Sequence, residues 1–128
     1  MLKDLTTLMV YVADMDRSIA FYRDVLGLKL DMQSPYWSQF ALGNGVILGL
    51  HPRRADEMKT PQGGWTPGFA VDDVVAAKTR IAASSGSVAM DLHDVPGGVI
   101  LELADPDGNV IDVMQAGITC ADLGVKSA

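Results

Sequence analysis

Val12-Ala13-Asp14-Met15-Asp16-Arg17-Ser18-Ile19-Ala20-Phe21-Tyr22-Arg23-Asp24-Val25-Leu26-Gly27 reads as a strand end, an acidic helix start, a helix and a glycine stop. The same order returns 59 positions on, as Val71-Asp72-Asp73-Val74-Val75 through Gly86. Asn44-Gly45 in the first copy has its counterpart in Asp107-Gly108, so four residues are inserted between the second landmarks. A solenoid needs three or more repeats, so two copies imply a pseudo-symmetric pair. Pairing two such units creates a seam, where a ligand would sit.

Outward from the first stretch, residues 5–12 form an apolar, partly β-branched run that predicts a strand. Ile19, Tyr22, Val25 and Leu26 fall at helical spacing. Residues 28–32, 37–42 and 46–50 predict three short strands, separated by Ser34-Pro35 and by the compact hairpin signal Gly43-Asn44-Gly45. The second copy predicts strands over 66–71, 88–92, 99–104 and 110–114, with a helix over 74–83 stopped near Gly86. Asp105-Pro106-Asp107-Gly108-Asn109 is a strong turn, since proline presets φ and Gly or Asn accepts positive φ. Each copy is therefore β-α-β-β-β. The expected fold is α+β: two paired βαβββ modules forming a cupped mixed sheet with helices on the convex face. Module one is expected over about 5–51, a linker over 52–65, module two over 66–115 and a tail over 116–128, all within a single domain spanning 1–128.

Side chains alternate along a strand, so parity assigns each residue a side. Leu48 and Leu50 belong with the helix, and Ile47, Gly49 and His51 with the open concave face. The same parity puts Thr7, Met9 and Tyr11 there, and in the second copy Thr66, Gly68, Ile100, Glu102, Asp112 and Met114.

Hydrophobic residues make up 48% of the 128 residues and charged ones 20%, so a sizeable core is expected and disorder is confined to about the last ten residues. The net charge of −6, and Arg53-Arg54 followed at once by Asp56-Glu57, argue against a nucleic-acid partner. No stretch reaches the roughly 18 apolar residues that would cross a bilayer, and the N-terminal residues lack a signal-peptide core. No membrane association and a cytoplasmic location are expected. Cys120 is the single cysteine, which excludes a disulfide within the chain, and nothing nearby in sequence would lower its thiol pKa.

Glu102 and Asp112 flank the turn centred on Asp107 at five residues to either side, so an antiparallel hairpin stands them opposite each other on one face. Two facing carboxylates repel. They persist on an apolar face if they share a proton, bind a cation or meet a basic partner. The bland alternative has Glu102 in solvent and Asp112 capping a backbone group. Their counterparts in the first copy are Gln39 and Gly49, neutral and small, so any chemistry would be led by the second copy. His51 is a candidate for ligand contact or proton transfer, although a solvated strand end is the plainer reading. Trp37 should face His51 across the hairpin and could stack on a planar ligand or pack in the core. Met9, Tyr11 and Met114 read as lining.

The stretch 12–28 and Asp105-Pro106-Asp107-Gly108-Asn109-Val110-Ile111-Asp112 closely resemble the vicinal oxygen chelate superfamily of glyoxalase I, extradiol dioxygenases and bleomycin-resistance proteins. The resemblance spans about Leu5 to Gln115 and implies paired βαβββ modules, commonly in homodimers. Metal-dependent members carry a His or Glu-type ligand on the first and last strand of each module, and the matching positions here are Thr7, Gly49, Thr66 and Asp112. Asp112 alone of these ligates a divalent metal well. The resemblance therefore implies a small-molecule binder with Thr7, Met9, Tyr11, Trp37, Gln39, Gly49, Thr66 and Met114 around its ligand and no assigned cofactor. The alternative is a lyase, isomerase or dioxygenase-type enzyme, other than ordinary glyoxalase I. It would use Glu102, Asp112 and His51 as acid/base groups or around a displaced, disfavoured divalent metal.

Overall fold

The computed structural model describes residues 7–52 and 66–128. Leu5 and the expected linker beyond Pro52 lie outside them. The chain divides into two compact units, Met1–Gln62 and Gly63–Ala128. In the first, β1 (Thr7–Val12) leads into α1 (Met15–Ala20), a π-helical turn (Phe21–Val25), β2 (Lys29–Met32), β3 (Ser38–Ala41) and β4 (Ile47–Pro52). In the second, β5 (Gly68–Ala70) is followed by α2 (Val74–Ala82), β6 (Ser87–Val95), β7 (Gly98–Ala104) and β8 (Val110–Ala116).

Each unit forms one four-stranded mixed sheet, in the orders β1-β4-β3-β2 and β5-β8-β7-β6. The first strand of each runs parallel to the last, and the other pairs are antiparallel. The two βαβββ units and the α+β class are thus as the internal repeat implies.

The repeat is visible in the helix starts. Asp14 accepts the Arg17 N–H at 2.9 Å and Asp73, its counterpart, accepts the Ala76 N–H at 3.0 Å. Both carboxylates satisfy donors that a first helical turn leaves without partners. The hairpins agree as well: Gly45 and Gly108 both stand at φ +83°, where a side chain would be strained.

The helix ends do not repeat. Gly27 stops the first at φ +75°, preceded by a wider turn in which Leu26 N–H reaches the Phe21 carbonyl. Gly86 adopts no positive φ. There Ser84 does the work, donating its hydroxyl to the Ile81 carbonyl at 2.6 Å and accepting the Gly86 N–H at 3.0 Å.

One face of each sheet is sealed by its helix. Ile19, Phe21, Tyr22, Phe40, Leu48 and Leu50 are buried in the first unit, with α1 packed on β4. In the second, Val74 and Ile81 of α2 and Val99, Leu101, Leu103, Ile111 and Val113 of β7 and β8 are buried, with α2 packed on the sheet. Burying each such side chain contributes about 1.5–3 kcal/mol, which makes the register costly to slip. Strand parity is therefore as expected.

Three expectations need correction. Thr66 precedes β5 and is exposed, because Pro67 has no N–H for the ladder; pairing begins instead with the Pro67 carbonyl accepting the Asp112 N–H at 2.9 Å. β6 extends to Val95, well past the expected 92, and meets β7 through a tight turn with Gly97 at φ +93°. The tail is ordered against the outer strand β6, where Asp94 accepts the Cys120 N–H at 2.7 Å and gives its own N–H to Ser127 at 2.9 Å. Ala128 N–H adds a bond to the Leu92 carbonyl. Cys120 is buried by this packing, and burial together with the Asp94 carboxylate pushes its thiol pKa up. No helix among the described residues is long and apolar enough to cross a membrane.

Asp105 holds the β7–β8 turn. Its buried carboxylate accepts the Asp107 and Asn109 N–H groups at 2.9 Å each and the Asn109 side-chain amide at 2.8 Å. Asp105→Ala should lower stability by about 2–4 kcal/mol, because bonds to a charged acceptor are lost and donors are left without it. Asp105→Asn should cost less. Urea midpoints of the two variants check the order.

Candidate functional site

The open face of each sheet carries one cross-strand row, and the two rows correspond. In the first sheet it runs Met9, Gly49, Gln39, Met32 across β1, β4, β3 and β2. In the second it runs Gly68, Asp112, Glu102, Met90 across β5, β8, β7 and β6. Gln39 and Gly49 thus occupy the places of Glu102 and Asp112, as their spacing from the hairpins predicts. The first-strand members of the rows are Met9 and Gly68. Thr7 pairs with Ile47, one step along the same face.

In the second unit, Glu102 and Asp112 are direct cross-strand partners and both are half-buried. Their Cβ atoms in such a pair are about 4.5–5.5 Å apart. Asp112 Oδ1 is buried and has no hydrogen-bond partner among the described residues. An acceptor in that state is costly unless a donor arrives. Met114, paired with Ile100 and Ala70, lies with its methyl over Gly97 and Gly98, so it is packed lining.

In the first unit the face is aromatic. Tyr11 and His51 are partners across β1 and β4, and their rings meet edge to face at 5.5 Å. Met9 and Tyr11 are exposed, and Thr7 is exposed at the start of β1. The His51 Nδ1 lies 2.7 Å from the Pro52 carbonyl. Trp37 lies beside His51 in the strand order, since Ser38 pairs with Leu50. Its indole, however, rests on Gly49: a Cβ built on that glycine would overlap the Cη2 and Cζ2 atoms of the ring.

Ser34 sets the approach of Trp37, accepting the Tyr36 and Trp37 N–H groups and donating to the Trp37 carbonyl at 2.9 Å. The indole N–H then donates to Gln39 Oε1 at 2.8 Å, and the Gln39 amide donates to Asp31 at 2.8 Å. Asp31 belongs to this site and is missed by strand parity. It falls where the β2–β3 register shifts between Leu30 and Met32, and an irregularity of that kind leaves no mark in a hydrophobic pattern.

Do these residues fit the metal that the resemblance implies? Of the four positions, Thr7 and Thr66 offer weak hydroxyl donors, Gly49 offers none, and Asp112 offers one carboxylate. The space at Gly49 is filled by the Trp37 ring. No group of three His, Cys, Asp or Glu suited to an ion occurs among the described residues. The set does not fit a divalent transition metal.

A profile of the Glyoxalase/Bleomycin resistance protein/Dioxygenase superfamily matches residues 5–113. The chain belongs to that superfamily. It is 32% identical over 130 residues to a lactoylglutathione lyase of Haemophilus influenzae, covering 91% of this chain and 95% of that protein. It is 33% identical over 120 residues to a probable chloroplastic lactoylglutathione lyase of Arabidopsis thaliana, covering 84% of this chain but spanning only 34% of that protein. Among solved structures, an antibiotic binding protein from Streptomyces sp. CB03234 superposes with a TM-score of 0.74 at 26% identity, covering 91% of this chain and 98% of that one.

Since the indole occupies the place of a side chain at position 49, Gly49→Ala should destabilise the protein by about 1–3 kcal/mol. In a Trp37→Ala background the same change should cost little. A double-mutant cycle from thermal or urea unfolding checks the coupling.

Proposed function

We propose that this protein binds a small organic molecule on its open sheet faces without the four-ligand metal site of the metal-dependent family members. The observation that carries the reading is Trp37 seated over Gly49, because it puts an aromatic wall where a ligating side chain would have to stand. Tyr11, His51, Met9 and Gln39 surround it with the mixture usual in organic-ligand sites: mostly apolar surface and a few polar groups. Glu102 and Asp112 supply acceptors on the second sheet. The antibiotic-binding relative makes this a function the fold carries elsewhere.

A second reading is an enzyme of lyase, isomerase or dioxygenase type. What favours it is the buried, unpartnered Asp112 Oδ1 facing Glu102, an arrangement suited to taking a proton from a bound carbon or oxygen acid. His51 would be a further proton carrier, and the names of the sequence relatives point the same way. A cytoplasmic location goes with either reading, as the one cysteine is buried and free of a disulfide.

Protein purified without chelator should carry far less than one equivalent of zinc, nickel, iron or manganese by elemental analysis. It should show no lactoylglutathione lyase activity when these ions are added. Stoichiometric metal together with such activity would overturn the binding reading.

A homodimer is part of the proposal, since Met32 and Met90 leave apolar surface on the outermost strands for a partner to cover. Light scattering should give twice the chain mass at micromolar concentration. A monomer mass would remove the dimer.

A further inference from the structure

We infer that Asn44 is a site of covalent self-modification, at which the main chain of Gly45 attacks the Asn44 side chain and converts the residue, through a cyclic imide, to aspartate and isoaspartate.

The chemistry needs an amide side chain followed by an unshielded main-chain nitrogen, and the β3–β4 turn supplies both. Asn44 and Gly45 are exposed, and nothing lies within 4 Å of where a Cβ on Gly45 would stand. Val46 donates its N–H to Asn44 Oδ1 at 3.2 Å, which folds the side chain back over the Gly45 peptide and polarises the Cγ carbonyl. With Oδ1 so engaged, Nδ2 is the atom turned to water. In the first step the bond from Gly45 N to Asn44 Cγ forms and the Cγ–Nδ2 bond breaks. The Gly45 amide proton passes to hydroxide, water returns a proton to Nδ2, and ammonia leaves. Water then adds to the imide. Breaking the new N–Cγ bond gives aspartate, and breaking the original peptide bond gives isoaspartate, whose main chain runs through Cγ. Either carboxylate adds one negative charge to the net −6.

The turn of the second copy has the same main-chain bonds without the reactive pair. Leu42 and Asp105 give their N–H groups to the Val46 and Asn109 carbonyls at 3.0 and 2.9 Å, and Gly45 and Gly108 return theirs to the Leu42 and Asp105 carbonyls at 3.2 and 2.9 Å. Asn44 therefore corresponds to Asp107, whose carboxylate is a poor electrophile. That second turn is also clamped, since the Asp105 side chain holds the Asp107 and Asn109 N–H groups and Pro106 fixes φ. Leu42 and Gly43, without polar side chains, stand in those two places in the first copy. Asn109 is the only other asparagine of the chain; it gives its side-chain amide to Asp105 at 2.8 Å, and the β-branched Val110 shields the nitrogen that follows it.

The β3–β4 turn sets the register that pairs Gln39 with Gly49 and Ser38 with Leu50. Isoaspartate puts one extra main-chain atom into that turn and loosens the hairpin. Aspartate, which the second copy carries at this place, fits it.

The test holds the full chain in mildly alkaline buffer at physiological temperature and follows it by peptide mass spectrometry, with fragmentation that distinguishes isoaspartate. Position 44 should exchange NH2 for OH at a rate that rises with hydroxide concentration. Asn109 should convert at least about tenfold more slowly. Gly43 lies outside the positive-φ region, so Gly43→Pro is compatible with the turn and should slow conversion about three- to tenfold by stiffening it. If that variant shows no cooperative thermal transition, Leu42→Asp, which supplies the acid of the second turn, replaces it with the same expectation. The isoaspartate form, separated by ion exchange, should show faster amide hydrogen exchange in β3 and β4 than fresh protein, whereas Asn44→Asp should match fresh protein. The inference is overturned if position 44 converts no faster than Asn109, or if the folded turn variant converts as fast as wild type. Unchanged hydrogen exchange in the isoaspartate form would overturn the loosening of the hairpin.

Discussion

Everything on the open faces depends on the sealing of the opposite ones. In each unit a short amphipathic helix covers only one side of a four-stranded sheet, and the strands place their largest apolar residues there. Leu48, Leu50 and Phe40 in the first unit, and Val99, Leu101, Leu103, Ile111 and Val113 in the second, are almost wholly removed from water. A slip by one residue would turn all of them outward. The same constraint holds Gly49, His51 and Gln39, or Asp112 and Glu102, on the other side. Their placement follows from core burial and needs no selection of its own.

On that common frame the two copies carry different rows. The row in the second sheet carries charge: two carboxylates side by side, with one buried oxygen lacking a donor among the described residues. The row in the first sheet carries none. A glycine stands where the aspartate would be, a glutamine where the glutamate would be, and a tryptophan lies in the space that results. Removing the side chain at position 49 both eliminates a potential ligand and creates the seat for the indole. The two changes reinforce each other, since any side chain returned to that position would first have to displace the ring.

Identity near 30% to lactoylglutathione lyases sits beside structural similarity to an antibiotic binding protein. Helix caps, hairpin glycines and a sealed face serve any member of the fold.

The repeat and the alternation of strand residues determined most of the architecture: the two βαβββ units, the cap aspartates, the paired hairpin glycines and the face on which each candidate within a strand lies. These are local properties, read from periods of two and about 3.6 residues and from turn chemistry. The opposition of Glu102 and Asp112 was legible for the same reason, because a hairpin turn sets register over a few residues. Only the tertiary structure decided what depends on contacts between segments. The tail's attachment to β6 through Asp94, the late start of β5 at Pro67, the bulge that brings Asp31 to Gln39, and the swing of Trp37 onto Gly49 are of this kind. Each arises from a hydrogen bond or a close approach between residues whose pairing no periodicity encodes. For Trp37 the deciding fact is the absence of a side chain on a neighbouring strand, which acquires meaning only when the two strands lie side by side.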